Sequence, residues 1–229
     1  LVRFFEKLQK LEKSPMKGLL ANLRTHPLTE NRIARAKKLM RRAHDYGRRS
    51  IEAAHKGFWA DFGKDRQKAL GRLDDEEDVP RLYWTAISLA ALITQSKDDM
   101  GLVGELPVVE ALMGRAYALR PDWDDGAIHE FYISYDGGRS EAMGGSVKKA
   151  KEHFDRVMQL TGGKKVGPLV TWAEVVAVEA QNRKEFNELL DKALAFDVDE
   201  APRFRLVNVL AQQKARRLKA RADDLFLEE

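Results

Sequence analysis

The sequence predicts an all-α protein built from stacked antiparallel helix hairpins, and three observations support this fold class. A five-residue pattern that closes a predicted helix occurs three times, at Arg115–Leu119, Arg156–Leu160 and Lys192–Phe196. In the helices that these patterns close, apolar residues lie three and four positions apart, which places them on one helix face. The 229 residues include only seven prolines, and β-branched residues rarely cluster, so strands are not expected.

The three closing patterns follow one another after 41 and then 36 residues. A period of about 34–40 residues is typical of stacked helix pairs, because one pair cannot bury its apolar face alone. The predicted connections are short, which favours antiparallel neighbours. We therefore expect a TPR-like α-solenoid whose inner surface holds partners or ligands.

The individual helices are located by this spacing together with their cap residues. Two short helices are predicted at residues 3–13 and 16–23, and Thr29 is the expected N-cap of a long basic helix that ends near Lys56. Residues 57–78 are expected to form a joint, because three glycines and a run of five acidic residues fall there. Seven further helices are predicted at about residues 81–95, 107–119, 127–135, 146–160, 166–181, 185–196 and 202–222.

Charge divides the chain unevenly. Residues 1–72 hold 19 Lys and Arg against seven Asp and Glu, whereas residues 73–143 hold five against 15. We therefore divide the chain into a basic N-terminal helical region at 1–72 and a TPR-like repeat region at 73–229, together forming one continuous globular unit. The charge separation could steer an acidic partner, but long basic helices that solvate one face are the interpretation that we favour.

The sequence contains no recognisable catalytic, metal or cofactor motif. It has no cysteine, which excludes disulfides, thiolate metal sites and a cysteine nucleophile. Its five histidines lack the zincin spacing, its glycine pairs lack the P-loop pattern, and its acidic run at 74–78 lacks EF-hand spacing. We therefore predict a protein that is not an enzyme and that has no catalytic residues, no metal and no cofactor.

The basic first third of the chain is compatible with nucleic-acid binding, but we predict that the protein does not bind nucleic acid. The nearby rings of Phe58, Trp59 and Phe62 lie at helical spacing, which is typical of core packing. The acidic middle of the chain would also repel a phosphate backbone that follows the helical stack.

Aromatic residues of the repeat region are the better candidates for function. They either pack between hairpins or line an apolar groove on the concave side of the stack. The candidates for a groove that takes a ligand or partner are Trp84, His129, Tyr132, Phe154, Trp172 and Asn208.

Several short elements of the chain, in order, resemble one known family. These elements are Leu82-Tyr83-Trp84, Glu105-Leu106-Pro107, Ala118-Leu119-Arg120-Pro121, Gly126-Ala127-Ile128-His129, Gly144-Gly145 leading to Ala150 and Phe154, Phe186 to Leu190 ahead of Leu194, and Leu206-Val207-Asn208-Val209-Leu210-Ala211 with Ala215. The combination resembles the TatT family, the T-component of tripartite ATP-independent periplasmic (TRAP) transporters. The resemblance covers roughly residues 80–226, whereas the basic first 70 residues match only loosely. The positions that correspond best are Trp84, His129, Gly144, Gly145, Phe154 and Asn208, as fold-defining or groove-lining residues.

The resemblance implies a non-enzymatic accessory protein of TPR-like hairpins that lies in the periplasm. Its expected partner is the solute-binding P-component of a TRAP system, and its expected ligand is hydrophobic or an organic acid. It also implies a homo-oligomer such as a trimer, and a lipoprotein that contacts the membrane only through a lipid on an N-terminal cysteine that this chain does not contain. The alternative is a cytoplasmic TPR-like adaptor that binds peptide tails, which a signal peptide ending in a lipid-bearing cysteine would exclude.

Overall fold

A computed structural model describes residues 29–227, and this part of the chain is helical without any β-strand. The predicted all-α class is confirmed, while the TPR-like arrangement stays a prediction. The two helices predicted at residues 3–13 and 16–23 lie outside the described residues. The chain forms two compact units, and the boundary between them falls between Leu119 and Arg120.

The first unit contains one long helix and several shorter ones. Its helices are α1 (Thr29–Ala54), α2 (Phe58–Lys64), α3 (Arg66–Gly71), α4 (Val79–Thr94), α5 (Met100–Val103) and α6 (Leu106–Leu119). Thr29 begins α1 as expected. The predicted joint at residues 57–78 instead holds α2 and α3, because Phe58, Phe62 and Leu70 bury their side chains there.

Helices α1, α4 and α6 form the centre of the first unit. A Cβ atom at Gly47 of α1 would lie 2.4 Å from Thr85 Oγ1, so glycine permits the close approach of α1 and α4. At the same crossing His44 Nδ1 lies 3.1 Å from the carbonyl oxygen of Thr85. The acidic run also has a structural use here, because buried Asp78 lies 2.8 Å from His55 Nε2 and 2.9 Å from an Arg81 guanidinium nitrogen.

The second unit is a set of shorter helices. They are α7 (Trp123–Gly137), α8 (Val147–Thr161), α9 (Gly167–Trp172), α10 (Arg183–Ala195), α11 (Arg205–Lys219) and α12 (Ala222–Leu225). The chain continues from α9 into a π-helical turn at Ala173–Ala177. Ser146 and Asn182 cap α8 and α10 with side-chain acceptors, and the three closing patterns do end helices α6, α8 and α10.

Glycines set the turn between α7 and α8. A Cβ atom at Gly145 would lie 1.9 Å from the carbonyl oxygen of Arg139, which no side chain could occupy. Gly144 has a φ of +82°, a conformation that glycine adopts without strain. The turn is closed by Ser146 N, which donates to the carbonyl oxygen of Asp136 at 2.8 Å. These contacts give a physical reason for the paired glycines in the sequence.

Candidate functional site

The antiparallel packing of α7 on α8 brings ionisable and aromatic side chains together inside the second unit. His129, Tyr132 and Asp136 lie three and four residues apart on α7 and therefore share one face of that helix. His153 and Arg156 face them from α8. We call these five residues, with Asp122 just before α7, the histidine cluster.

The two histidines of the cluster contact each other directly. His129 Nδ1 lies 2.7 Å from His153 Nδ1, and His129 Nε2 lies 3.1 Å from Asp122 Oδ1. Because a carboxylate only accepts hydrogen bonds, its contact requires the proton on His129 Nε2. His129 Nδ1 is then the acceptor, so His153 donates from its Nδ1. The geometry thus selects a different tautomer for each ring.

Asp122 is held in its charged form by Arg156. Arg156 Nε donates to Asp122 Oδ1 at 2.9 Å, and its Nη2 donates to Asp122 Oδ2, which gives a two-pronged ion pair. The Arg156 guanidinium lowers the pKa of the Asp122 carboxyl, and His129 lowers it further against the opposing effect of burial. A permanent carboxylate therefore orients His129.

Burial keeps both imidazoles neutral. Desolvation lowers the pKa of His153 to about 4, with smaller contributions from His129 and Lys149. Desolvation is also the main cause that lowers the pKa of His129, and it raises the pKa of Asp136. The ring of Tyr132 stacks on His153 with centroids 4.9 Å apart and planes 17° apart, so an aromatic face covers one ring of the pair.

A second aromatic contact begins at Phe154, the residue after His153 on α8. The rings of Phe154 and Trp172 have centroids 5.2 Å apart. Trp172 is buried, and its Nε1 donates to Glu185 Oε1 at 3.0 Å. The pair therefore joins α8, α9 and α10.

The structure separates the six sequence candidates into distinct places. His129 and Tyr132 meet through His153, and Phe154 meets Trp172. Asn208 is fully buried: its Oδ1 accepts from Val166 N at 3.0 Å and its Nδ2 donates to the Lys164 carbonyl at 2.8 Å. Trp84 belongs to the first unit, where 58% of its surface is exposed.

Sequence reasoning missed four members of the histidine cluster, namely Asp122, Asp136, His153 and Arg156. Metal-binding helices carry their histidines at short spacings, whereas His129 and His153 lie on different helices. Helical register could have identified part of the cluster. His153 and Arg156 are three residues apart and therefore share one face of α8. Which face of α7 meets them depends on tertiary packing.

A pocket of about 310 Å³ lies elsewhere in the second unit, and none of the six sequence candidates lines it. Lys164, Phe204 and Arg203 border the pocket together with Asp125. Asp125 Oδ2 lies 2.5 Å from Arg203 Nη2. The pocket therefore combines an aromatic wall with charged groups of both signs.

The backbone beside this pocket has an uncommon conformation. Asp124, Asp125 and Gly126 have φ angles of 49°, 53° and 85°, which makes three consecutive left-handed residues. Aspartate enters this region more readily than most residues, yet it is still strained there. The left-handed turn holds Asp125 where Arg203 reaches it.

Helix α11 presents an apolar face to solvent. Leu206, Val207 and Leu210 lie within one side of the helix and are 72%, 44% and 55% exposed. Clustered exposed apolar side chains mark contact surfaces more often than scattered ones do. We call these three residues the α11 face.

Two kinds of site are not found among the described residues. Within residues 29–227, no group of three or more His, Cys, Asp or Glu side chains is arranged to hold a metal ion. No helix in this part of the chain is long and apolar enough to cross a membrane.

Comparison with known proteins gives one family and one relative. The family model of the TRAP transporter T-component (TAtT) matches residues 20–226. An uncharacterized protein of Treponema pallidum (strain Nichols) is 30% identical over 199 residues, which cover 85% of this chain and 61% of that relative. The chain thus spans less than two thirds of the relative's length.

Proposed function

Because this chain belongs to the TRAP transporter T-component family, we propose that it is a non-enzymatic periplasmic accessory protein of a TRAP system that docks the system's solute-binding protein. The observation that carries the proposal is the family match across residues 20–226, which includes all but the last of the described residues. The proposal retains the lipid anchor and the homo-oligomer, such as a trimer, that the family resemblance implies.

We assign the docking surface to the α11 face. Leu206 and Leu210 are one helical turn apart and mostly exposed, so a partner could bury both without any rearrangement of this chain. The inner side of the same helix is anchored by Asn208 and Gln212, both buried. A rigid helix that presents apolar side chains loses little conformational entropy on binding.

The docking proposal is tested with the chain and the solute-binding protein of a TRAP system from the same genome. Binding is measured by titration calorimetry for the wild type, Leu206→Glu and Met100→Glu. Leu206 and Met100 are 72% and 74% exposed, so the two variants introduce the same charge at equally exposed positions. We expect Leu206→Glu to weaken binding about tenfold or more, as loss of a central contact does, and Met100→Glu to bind like the wild type.

Two outcomes would reject this docking surface. Equal affinity of Leu206→Glu and wild type would show that the solute-binding protein contacts another part of the chain. The second outcome concerns the oligomeric mass measured by light scattering. If Leu206→Glu is monomeric while Met100→Glu is oligomeric, the α11 face forms contacts between copies of the chain.

We further propose that the ligand of the system is an organic acid that visits the pocket beside Arg203. Lys164 and Arg203 border the pocket, and a guanidinium binds a carboxylate through two parallel hydrogen bonds. Arg203 pairs with Asp125, so a ligand carboxylate would compete for a cation that is already positioned. The proposal also includes an apolar path for the ligand. This path would run past the half-buried rings of Tyr132 and Phe154.

The ligand proposal is tested by titrating the chain with a panel of small mono- and dicarboxylates. Arg203→Gln removes the pocket cation, whereas Arg205→Gln removes a cation two residues away that pairs with Asp199 at 2.6 Å. We expect binding of at least one acid, lost in Arg203→Gln and kept in Arg205→Gln. Absence of binding across the panel, or equal loss in both variants, would reject the pocket as the ligand site.

A further inference from the structure

Helix α1 carries a continuous outward stripe in which arginines alternate with a leucine and a tyrosine. Arg35, Leu39, Arg42, Tyr46 and Arg49 are separated by steps of four, three, four and three residues, which keeps them on one side of a helix. All five side chains are exposed, with Leu39 at 56% and Tyr46 at 51%. We call these five residues the α1 stripe.

Tyr46 sits between two of the arginines. The guanidinium carbons of Arg42 and Arg49 lie 5.4 and 4.4 Å from the centre of the tyrosine ring, and Arg42 Nη2 donates to the Tyr46 hydroxyl at 3.1 Å. Cation–π contacts of this length are attractive. The ring therefore holds two like charges near each other at the surface.

The exposed cations of α1 also lack the close ion pairs that several surface cations have elsewhere in the chain. Within residues 31–227, no carboxylate lies within salt-bridge distance of the exposed cations Arg32, Arg35, Lys38, Arg41, Arg42 and Arg49. In the second unit, by contrast, Lys151 pairs with Asp155 and Lys214 pairs with Glu174. The outward side of α1 thus presents exposed cations without close ion pairs, with exposed Asp45 as the acidic residue beside them on the helix.

We propose that the α1 stripe docks this protein on the anionic phospholipid surface of a membrane. Guanidinium groups bind phosphate oxygens through paired hydrogen bonds and remain charged at every physiological pH. Leu39 and Tyr46 project between them, and an aliphatic or tyrosine side chain suits the boundary between headgroups and acyl chains. Phosphate and a shallow apolar layer occur together at a bilayer surface, which is why a lipid surface fits this stripe better than an acidic protein.

The shape of the stripe favours the same partner. It runs along the outer side of a single helix for about 21 Å, at about 1.5 Å per residue, and a convex helix offers no groove for a peptide. The opposite side of α1 is occupied, because His44 and Ile51 are buried and Gly47 packs on α4. Docking through the stripe therefore needs no unfolding of the first unit.

The test is co-sedimentation of the 229-residue chain with vesicles. Vesicles of phosphatidylcholine are compared with vesicles containing about one third phosphatidylglycerol, since each basic residue near an anionic surface strengthens binding. Arg42→Gln/Arg49→Gln removes two stripe charges, and Arg216→Gln/Arg217→Gln removes two exposed charges at the end of α11 as a matched control. Circular dichroism checks that each variant retains its helices.

We expect the wild type to bind only the anionic vesicles and to be released by about 0.5 M salt, at which exposed charges are screened. Arg42→Gln/Arg49→Gln should bind about tenfold more weakly or worse, and the control should bind like the wild type. Leu39→Ser should also weaken binding, because it removes the apolar contact and leaves the charge unchanged.

Three results would overturn the proposal: no binding to anionic vesicles, equal loss of binding in both double variants, or complete displacement of the chain from vesicles by soluble polyglutamate or duplex DNA at the same charge concentration. The last result would assign the stripe to carboxylates of a protein or to nucleic acid. Vesicle binding by the chain alone needs no transport partner, so failure here leaves the docking role of the α11 face untouched.

Discussion

His129 and His153 face each other through their Nδ1 atoms at 2.7 Å, although 24 residues separate them in the sequence. The contact accommodates one proton, and it requires a neutral His129, because protonation of the acceptor His129 Nδ1 would place two N–H groups against each other. Asp122 selects the tautomer of His129, and burial keeps His153 neutral. The packing of α7 on α8 therefore depends on the protonation of this pair.

The first prediction concerns stability against pH. The pKa of His153 is lowered from 6.5 to about 4 in the folded protein, so as the pH falls the unfolded chain takes up this proton first. The stability that the folded protein keeps by holding His153 neutral is complete above pH about 6.5, and it is lost progressively down to pH about 4. We expect the loss from His153 alone to reach about 2 kcal/mol between pH about 7.5 and pH about 5.

The measurement is urea unfolding at both pH values for the wild type and His153→Asn. Asparagine can place a donor near the position of Nδ1 but does not titrate in this range. The variant should lose less stability than the wild type on acidification, whatever its stability at neutral pH. Asp136, whose pKa burial raises, is present in both proteins, so its own titration contributes to both losses. Equal losses in the two proteins would contradict the assignment.

The second prediction concerns Asn208, a groove candidate by sequence. Its amide bonds to Val166 N and to the Lys164 carbonyl while fully buried. Asn208→Ala would leave both backbone groups without this partner, which costs about 2 to 3 kcal/mol. Chemical denaturation should show this loss, whereas the exposed neighbour Gln213→Ala should unfold like the wild type. A fully stable Asn208→Ala variant would instead favour a role in binding.

The third prediction separates two glycines. Gly145→Ala forces a Cβ atom into the backbone of Arg139, whereas nothing lies within 4 Å of a Cβ atom at Gly114 in α6. We expect Gly145→Ala to destabilise the second unit by about 2 kcal/mol or more and Gly114→Ala to be neutral or stabilising by up to about 1 kcal/mol, because alanine is the better helix former. Thermal unfolding of both variants tests the order, and a stable Gly145→Ala would mean that the α7–α8 turn can adopt another path.

The fourth prediction distinguishes a groove from a core at two aromatic candidates. Trp84 is mostly exposed, so Trp84→Glu should change the free energy of unfolding by less than about 0.5 kcal/mol. Tyr132 stacks on His153, so Tyr132→Glu should cost about 2 kcal/mol or more and reduce helix content on mild heating. If Trp84→Glu keeps its fold but loses ligand or partner, Trp84 acts at a surface. If Tyr132→Glu is as stable as wild type, the stack is not structural.

The local pattern of the chain was sufficient for most helix boundaries. Ser146 and Asn182 mark helix starts because a short polar side chain satisfies the amides of a first helical turn, and these signals lie within a few residues of the helix they begin. The segment at 57–78 was misread, since its glycines suggested a joint while Phe58 and Phe62 gain more from burial as a helix. The family resemblance also came from short ordered elements, and the profile match over residues 20–226 confirmed it.

By itself, the sequence determined the all-α class, the positions of the main helices and the family, because helix periodicity and capping act between residues three to seven positions apart. The tertiary structure alone decided which side chains meet. His153 reaches His129 only through the rotation of α8 against α7, and Asn208 is buried only because α11 packs over the start of α9. Helix packing depends on side-chain volumes contributed by distant segments, so burial and partnership at these residues follow from contacts that no local pattern encodes.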